Sequence, residues 1–185
     1  MSEPFRTRDF RPVEPHARPR RTRRAARVVI LAEGRVLMLA DTDPGLPGSR
    51  WWTTPGGGID PGETSAQAAA REILEETGRI TAPGELLGPV AVRAVVHGFS
   101  DQILAQQEEF FVLPLDETYA PTQDGFTAEE QITLDGWAWL SLTDLPTISQ
   151  PIWPADLAAI VDLVDRPQDW PLRWGEVEES TVPVS

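Results

Sequence analysis

Glu72, Glu75 and Glu76 stand at i, i+3 and i+4 of a segment that reads GGIDPGETSAQAAAREILEETGR from Gly57 to Arg79. On a helix these positions project from one side, so like charges repel there by roughly 0.2–0.5 kcal/mol per pair. They also fall toward the helix C-terminus, the negative end of the macrodipole, where each carboxylate costs roughly 0.3–1 kcal/mol more. A divalent cation reverses both signs. The chemistry this spacing points to is therefore the binding of a hard metal ion by oxygen ligands.

Other chemistries are narrowed by what the chain lacks. It has no cysteine, which removes disulfides, thiolate nucleophiles and cysteine zinc sites, and it has two histidines. All sixteen basic residues are Arg, so a lysine Schiff base or P-loop is excluded and Arg must supply any phosphate contact. Residues 1–24 carry eight Arg against Glu3, Asp9 and Glu14, a net +5, whereas residues 25–185 carry −18. An acidic body disfavours nucleic acid, which needs a basic footprint, and suits a small anionic substrate brought in with metal ions. The sequence contains no apolar run of about eighteen residues and no signal-like N-terminus, so no membrane association and a cytoplasmic location are expected.

The elements that must position the glutamates can be read from pattern. A helix is expected over Ser65–Thr77, with Thr64 and Gln67 as a capping box and Gly78 as its stop. Its expected apolar stripe is Ala66, Ala69, Ala70, Ile73, Leu74 and Thr77, on a face apart from the glutamates. Ahead of it, Pro55 to Gly58 lets backbone approach a ligand closely. Strands are expected at Arg24–Leu31 and Arg35–Ala40, forming a hairpin, and at Trp51–Thr54, Val90–His97, Glu108–Leu115 and Trp137–Leu140. Ser141–Leu145 reads as a short helix and Pro154–Val164 as a longer amphipathic one. Residues 1–23 read as a flexible Arg/Pro-rich arm, 24–165 as one catalytic domain and 166–185 as a loosely attached tail. Strands and helices mix without a βαβ repeat, which favours an α+β class.

The segment also resembles the Nudix box, whose fixed positions fall here on Gly57, Glu63, Arg71, Glu72, Ile73, Glu75, Glu76 and Gly78, with Arg79 at the final apolar position. The resemblance implies an α/β/α sandwich around a mixed sheet and hydrolysis of a pyrophosphate bond in a nucleoside diphosphate linked to another group, or in a nucleoside triphosphate. It implies Mg2+ or Mn2+ as cofactor, held by Glu72, Glu75 and Glu76 with the Gly57 carbonyl. Glu72 or Glu76 activates water, and Arg71 pairs with Glu75 or Glu63 to hold the carboxylates. Glu63 is either structural or a support for the ligands. Homodimers are common in the family, and some of its members sense nucleotide-sugars without cleaving them.

A further acid from a later segment is expected in this pattern. Glu130 and Glu129 in FTAEEQ rank ahead of Glu108 and Glu109, and Asp124 ranks lower because Gly125 gives it a turn signature. Trp51 and Trp52 adjoin the glycine loop and point to opposite faces of a strand, so at most one lines the site. His97 on an apolar strand reads as a satisfied strand-end residue. The long turn from Asp41 to Arg50 reads as a lid.

Overall fold

The structure, a computed structural model, describes residues 8–184. β1 (Arg20–Ala32) and β2 (Arg35–Asp41) form a hairpin in the register Ala32↔Arg35. Its two-residue turn places Glu33 at φ 51° and Gly34 at φ 71°, both left-handed as a tight turn matching strand twist requires. β3 (Trp51–Thr53) and β4 (Gly56–Gly58) lead into α1 (Ser65–Thr77), followed by the long hairpin of β5 (Leu87–Gly98) and β6 (Ile103–Leu115). Next come α2 (Glu130–Thr133), β7 (Leu134–Ser141), β8 (Ile152–Trp153), α3 (Leu157–Asp162) and β9 (Leu172–Glu178). The strands join in one mixed sheet of order β8-β3-β2-β1-β6-β5-β9, with β4 paired to β1 and β7 to β2.

Alternation along β1 divides the core between two faces. Ala26, Val28 and Ile30 pack with Ala68, Ala69, Ala70 and Ile73 of α1. Val29 turns the other way, joining Phe110 and Val112 of β6 with Leu157, Ile160 and Leu163 at α3. The result is the expected α+β sandwich, with one helix on each side of the sheet.

Several local expectations change. The α1 stripe contains Ala68, while Leu74 is 46% exposed; Glu72 and Glu76 are buried alongside the stripe rather than on a face apart from it. The stretch left between the expected strands Val90–His97 and Glu108–Leu115 is mostly strand, because β6 starts at Ile103 and Gln106 is buried. Ser141–Leu145 is not a helix: β7 runs to Ser141, and a single 3-10 turn follows at Leu145–Thr147. α3 is shorter than expected at Leu157–Asp162.

The described parts of both chain ends are more ordered than their composition suggests. β1 starts at Arg20, parallel to β6 from Ile103. Ahead of it, Arg18 is buried, and its guanidinium donates to the carbonyls of Phe99, Val182 and Pro183. The described part of the arm is thus tied down by arginine donors that find backbone acceptors. The expected C-terminal tail contains β9, parallel to β5 from Ala91↔Leu172. Residues 1–7 of the arm lie outside the described residues. No helix among the described residues is long and apolar enough to cross a membrane.

Candidate active site

The site begins where β4 passes between β1 and α1, in the register Ala25↔Gly58, Ala26↔Gly57 and Arg27↔Gly56. A Cβ at Gly57 would stand 2.5–2.8 Å from the Glu72 carboxylate, so only glycine lets this strand lie so close to the helix acids. α1 is fixed at both ends. Thr64 Oγ1 accepts from the Gln67 amide (3.2 Å) while Gln67 Oε1 accepts from that of Thr64 (2.9 Å), and Gly78 closes the helix at φ 73°.

Glu76 and Glu72 are each 6% exposed. The Gly56 N–H donates to Glu76 Oε2 at 2.7 Å. Arg71 serves three acids of the segment: Nε and Nη2 grip both oxygens of Glu63 (2.9 and 3.0 Å), and Nη1 reaches Glu72 (2.8 Å) and Glu75 (3.2 Å). Nη2 also donates to the Gly58 carbonyl (2.9 Å), tying helix to strand.

A third acid arrives from the short helix α2. The Thr127 N–H donates to Glu130 Oε2 (2.7 Å) and the Glu130 N–H to Thr127 Oγ1 (3.3 Å), a reciprocal cap that orients the carboxylate. One oxygen each from Glu72, Glu76 and Glu130 then lies within 4.8 Å of the others. Burial, followed by the charges of Glu72 and Glu130, pushes the Glu76 carboxyl well above the usual carboxylate range. Glu72 is also pushed up by burial, against the pull of Arg71. Hydrogen bonds from Arg71 hold Glu63 below that range. Desolvated carboxylates that repel one another form an all-oxygen donor set, and such a set fits a hard divalent cation.

A model of the NUDIX domain matches residues 21–162. The chain belongs to the Nudix family. It is 36% identical over 104 residues to an RNA pyrophosphohydrolase of Vibrio atlanticus, a match covering 51% of this chain and 58% of that relative. It is 31% identical over 140 residues to one of Brucella abortus, covering 66% of this chain and 72% of the relative. The chain thus spans somewhat more than half the length of the Vibrio relative. Its fold resembles the dihydroneopterin triphosphate pyrophosphohydrolase of E. coli (24% identity, TM-score 0.54, 77% and 94% of the two chains). It also resembles a Nudix hydrolase of Nitrosomonas europaea (17% identity, TM-score 0.54, 82% and 94%).

The Nudix box residues divide by geometry. Glu72 and Glu76 converge with Glu130, and Gly57 abuts Glu72, whereas the Glu75 carboxylate turns to Arg71. Glu129 is drawn away by the Arg8 amide (2.8 Å). Glu108 is buried between Arg27 (3.2 Å) and Arg93 (2.8 Å); burial raises its carboxyl, but the two arginines outweigh that and leave it below its ordinary value. Glu109 pairs with Arg24 at 2.6 Å and Asp124 is exposed. The turn after Asp41 is pinned rather than lid-like, since Asp43 accepts from the amide and hydroxyl of Ser100 and from Thr181 Oγ1.

Between β1, β3 and β5 lies a cleft of about 110 Å³ whose lining includes Arg23, Asp41, Trp51, His97, Phe99 and Trp153. Trp51 faces it and Trp52 does not, as strand alternation requires; Trp52 instead lies under Arg50. Arg23, Asp41 and Trp153 were not legible as site residues, because they come from separate strands and share no spacing. His97 does stand at the end of β5 and is 4% exposed, but it lines the cleft and is only half satisfied, since Nε2 has no partner.

Proposed function

We propose that the chain hydrolyses a pyrophosphate bond in a nucleoside diphosphate linked to another group, or in a nucleoside triphosphate, with Mg2+ or Mn2+ held by Glu72, Glu76, Glu130 and the Gly57 carbonyl. The observation that carries this reading is the convergence of three carboxylate oxygens within 4.8 Å, two of them from buried side chains. When bound, the ion supplies neutralisation of charge on the phosphate oxygens and acidifies the attacking water. The Gly56 N–H fixes the Glu76 carboxyl, which we assign to take a proton from that water. Arg71 acts as a positioning residue: through Glu63, Glu72, Glu75 and the Gly58 carbonyl it locks the helix acids against the glycine strand. Glu75 is assigned to that same positioning set.

The test is turnover by Glu76→Gln with Mg2+ present, followed by phosphorus NMR over a panel of nucleoside diphosphate derivatives and triphosphates. Turnover is expected to fall about 10²- to 10⁴-fold, with an unchanged melting curve. A folded variant that retains parental rates overturns the reading. A sensing module without turnover is disfavoured by the retention of every box acid; finding no product from any compound, with binding intact, would favour it.

A second reading is hydrolysis at the 5′-triphosphate end of an RNA. It draws on the names of the two relatives above, which weigh against the expectation that nucleic acid is disfavoured. Exposed Arg20 on β1 offers a phosphate contact for such a substrate. A 5′-triphosphorylated oligonucleotide in the same assay separates the readings: turnover faster than for free nucleotides favours RNA.

A further inference from the structure

α2 carries Glu130 and cannot hold its own place. It runs only from Glu130 to Thr133, and none of its side chains is buried. A single helical turn is unstable in isolation, because its few hydrogen bonds do not offset the fixing of its backbone. Neither helix propensity nor apolar packing therefore decides where the Glu130 carboxylate sits. The contacts at the two ends of α2 must do so.

Behind α2, the Thr133 carbonyl accepts from the amide and the hydroxyl of Thr42 (3.0 and 2.8 Å). Ahead of it, the segment that follows β6 lies along α1. The Thr122 amide donates to the Thr77 carbonyl (3.1 Å), and a Cβ on Gly125 would stand 2.5–3.0 Å from the backbone of Glu75. At the start of the helix itself stands Glu129, in the N-cap position, with a side chain that makes no cap bond. Glu129 Oε1 instead accepts from the Arg8 amide (2.8 Å), 121 residues away in the chain.

That amide is fixed by the side chain of the same residue. Arg8 Nε and Nη2 donate to the two oxygens of Asp101 (3.0 and 2.6 Å), a bidentate fork on a carboxylate that is itself buried. The guanidinium lies 4.6 Å from the ring centroid of Phe10 and 4.9 Å from that of Phe99, both buried rings. Farther along the arm, the Val13 amide donates to the Ser100 carbonyl (2.9 Å). Phe99, Ser100 and Asp101 all belong to the turn between β5 and β6, so the arm is seated on that turn and reaches from it to α2.

We propose that Arg8 is a positioning residue for the metal: clamped to the turn between β5 and β6, it holds Glu129, and through Glu129 the start of α2, so that the Glu130 carboxylate meets those of Glu72 and Glu76. The inference rests on the reading that these three acids hold a divalent ion. Glu129 and Glu130 are successive residues, so a shift of the N-cap moves the ligand with it. The charge of Arg8 is spent on Asp101; what meets Glu129 is a backbone amide whose place the guanidinium sets. Groups that hold a ligand in this way set metal affinity by about 10- to 100-fold. A segment whose composition reads as a detached arm is thereby part of the metal centre.

The test is Mn2+ binding without substrate, followed by electron paramagnetic resonance of the free ion, so that it does not depend on turnover. Arg8→Ala and Glu129→Ala are each expected to weaken Mn2+ about tenfold, and the double variant to be no weaker than either alone. Glu129→Gln keeps an acceptor for the Arg8 amide and is expected to recover most of the affinity. Glu129→Ala removes a half-buried side chain and is expected to fold whether or not Arg8→Ala does. The inference is overturned if either folded single variant binds Mn2+ like the parent, or if the two losses add in the double variant. It is also overturned if Glu129→Gln binds as weakly as Glu129→Ala, since the carboxylate of Glu129 would then act by its charge. Glu76→Gln separates this inference from the reading beneath it. Weakened Mn2+ binding there with none in Glu129→Ala removes this inference alone, whereas parental affinity in Glu76→Gln removes the metal site and this inference with it.

Discussion

Asp41 is tuned chiefly by removal from water, and that tuning has a measurable sign. Burial pushes its carboxyl from 3.8 to about 7, against the hydrogen bond from Thr42. The folded state therefore holds the proton more tightly than the unfolded chain does. The stabilisation is whole below about pH 4, is lost progressively as the unfolded form alone ionises, and is gone above about pH 7. Asp41→Asn keeps an acceptor for the Thr42 amide and cannot ionise. Relative to the parent it is expected to raise the melting temperature at about pH 8 and to converge with it at about pH 4. A difference that does not change with pH would show that the folded carboxyl titrates like a solvated one.

At the scale of elements, the glycine strand and the helix form one device, and Gly57 is its tightest point. A methyl there meets only the end of the flexible Glu72 side chain, at 2.5–2.8 Å, so the fold can yield while the site cannot. Gly57→Ala is expected to keep its melting temperature within a few degrees and to lose about 10- to 100-fold in apparent Mg2+ affinity, as when support around a ligand is disturbed. Metal titration against activity reads it directly; unchanged affinity would mean that Glu72 does not hold the ion. This device was largely legible in the sequence, because its signals are local: the Thr64 and Gln67 cap, the Gly78 stop and the spacing of the acids all lie within one segment. The convergence of Glu130 was legible only as one choice among several acids, since its distance from Glu76 depends on where α2 docks. Leu74 misled for a related reason: its type fits a stripe, but the buried arc of α1 is displaced toward Glu72 and Glu76, which leaves Leu74 outside its other edge. Of the cleft only Trp51 could be singled out, assembled as the cleft is from β1, β2, β3, β5, β6 and β8.

Across the whole molecule, the C-terminal segment holds the cleft together, and composition could not show this because its anchor is a charge. Glu179 is 6% exposed, and both its oxygens receive the Arg93 guanidinium, at 2.8 and 2.7 Å. Its Oε1 also accepts from the Ala155 amide ahead of α3, and its carbonyl fixes the tautomer of His97. Arg93 shares Glu108 with Arg27, so one buried network links β9, β5, β6 and β1. Removing one partner of a buried pair leaves the other charge desolvated, which costs about 3–5 kcal/mol, against roughly 0–1 kcal/mol for an exposed pair such as Arg24 with Glu109. Glu179→Ala is therefore expected to lower stability in urea by several times more than Glu109→Ala does. Deleting residues 166–185 should be at least as damaging, because it also removes β9 from the edge of β5. If the truncated chain instead unfolds at the parental urea midpoint, the segment is the detachable tail its sequence suggests. The tautomer of His97 would then have to be fixed by something other than Glu179.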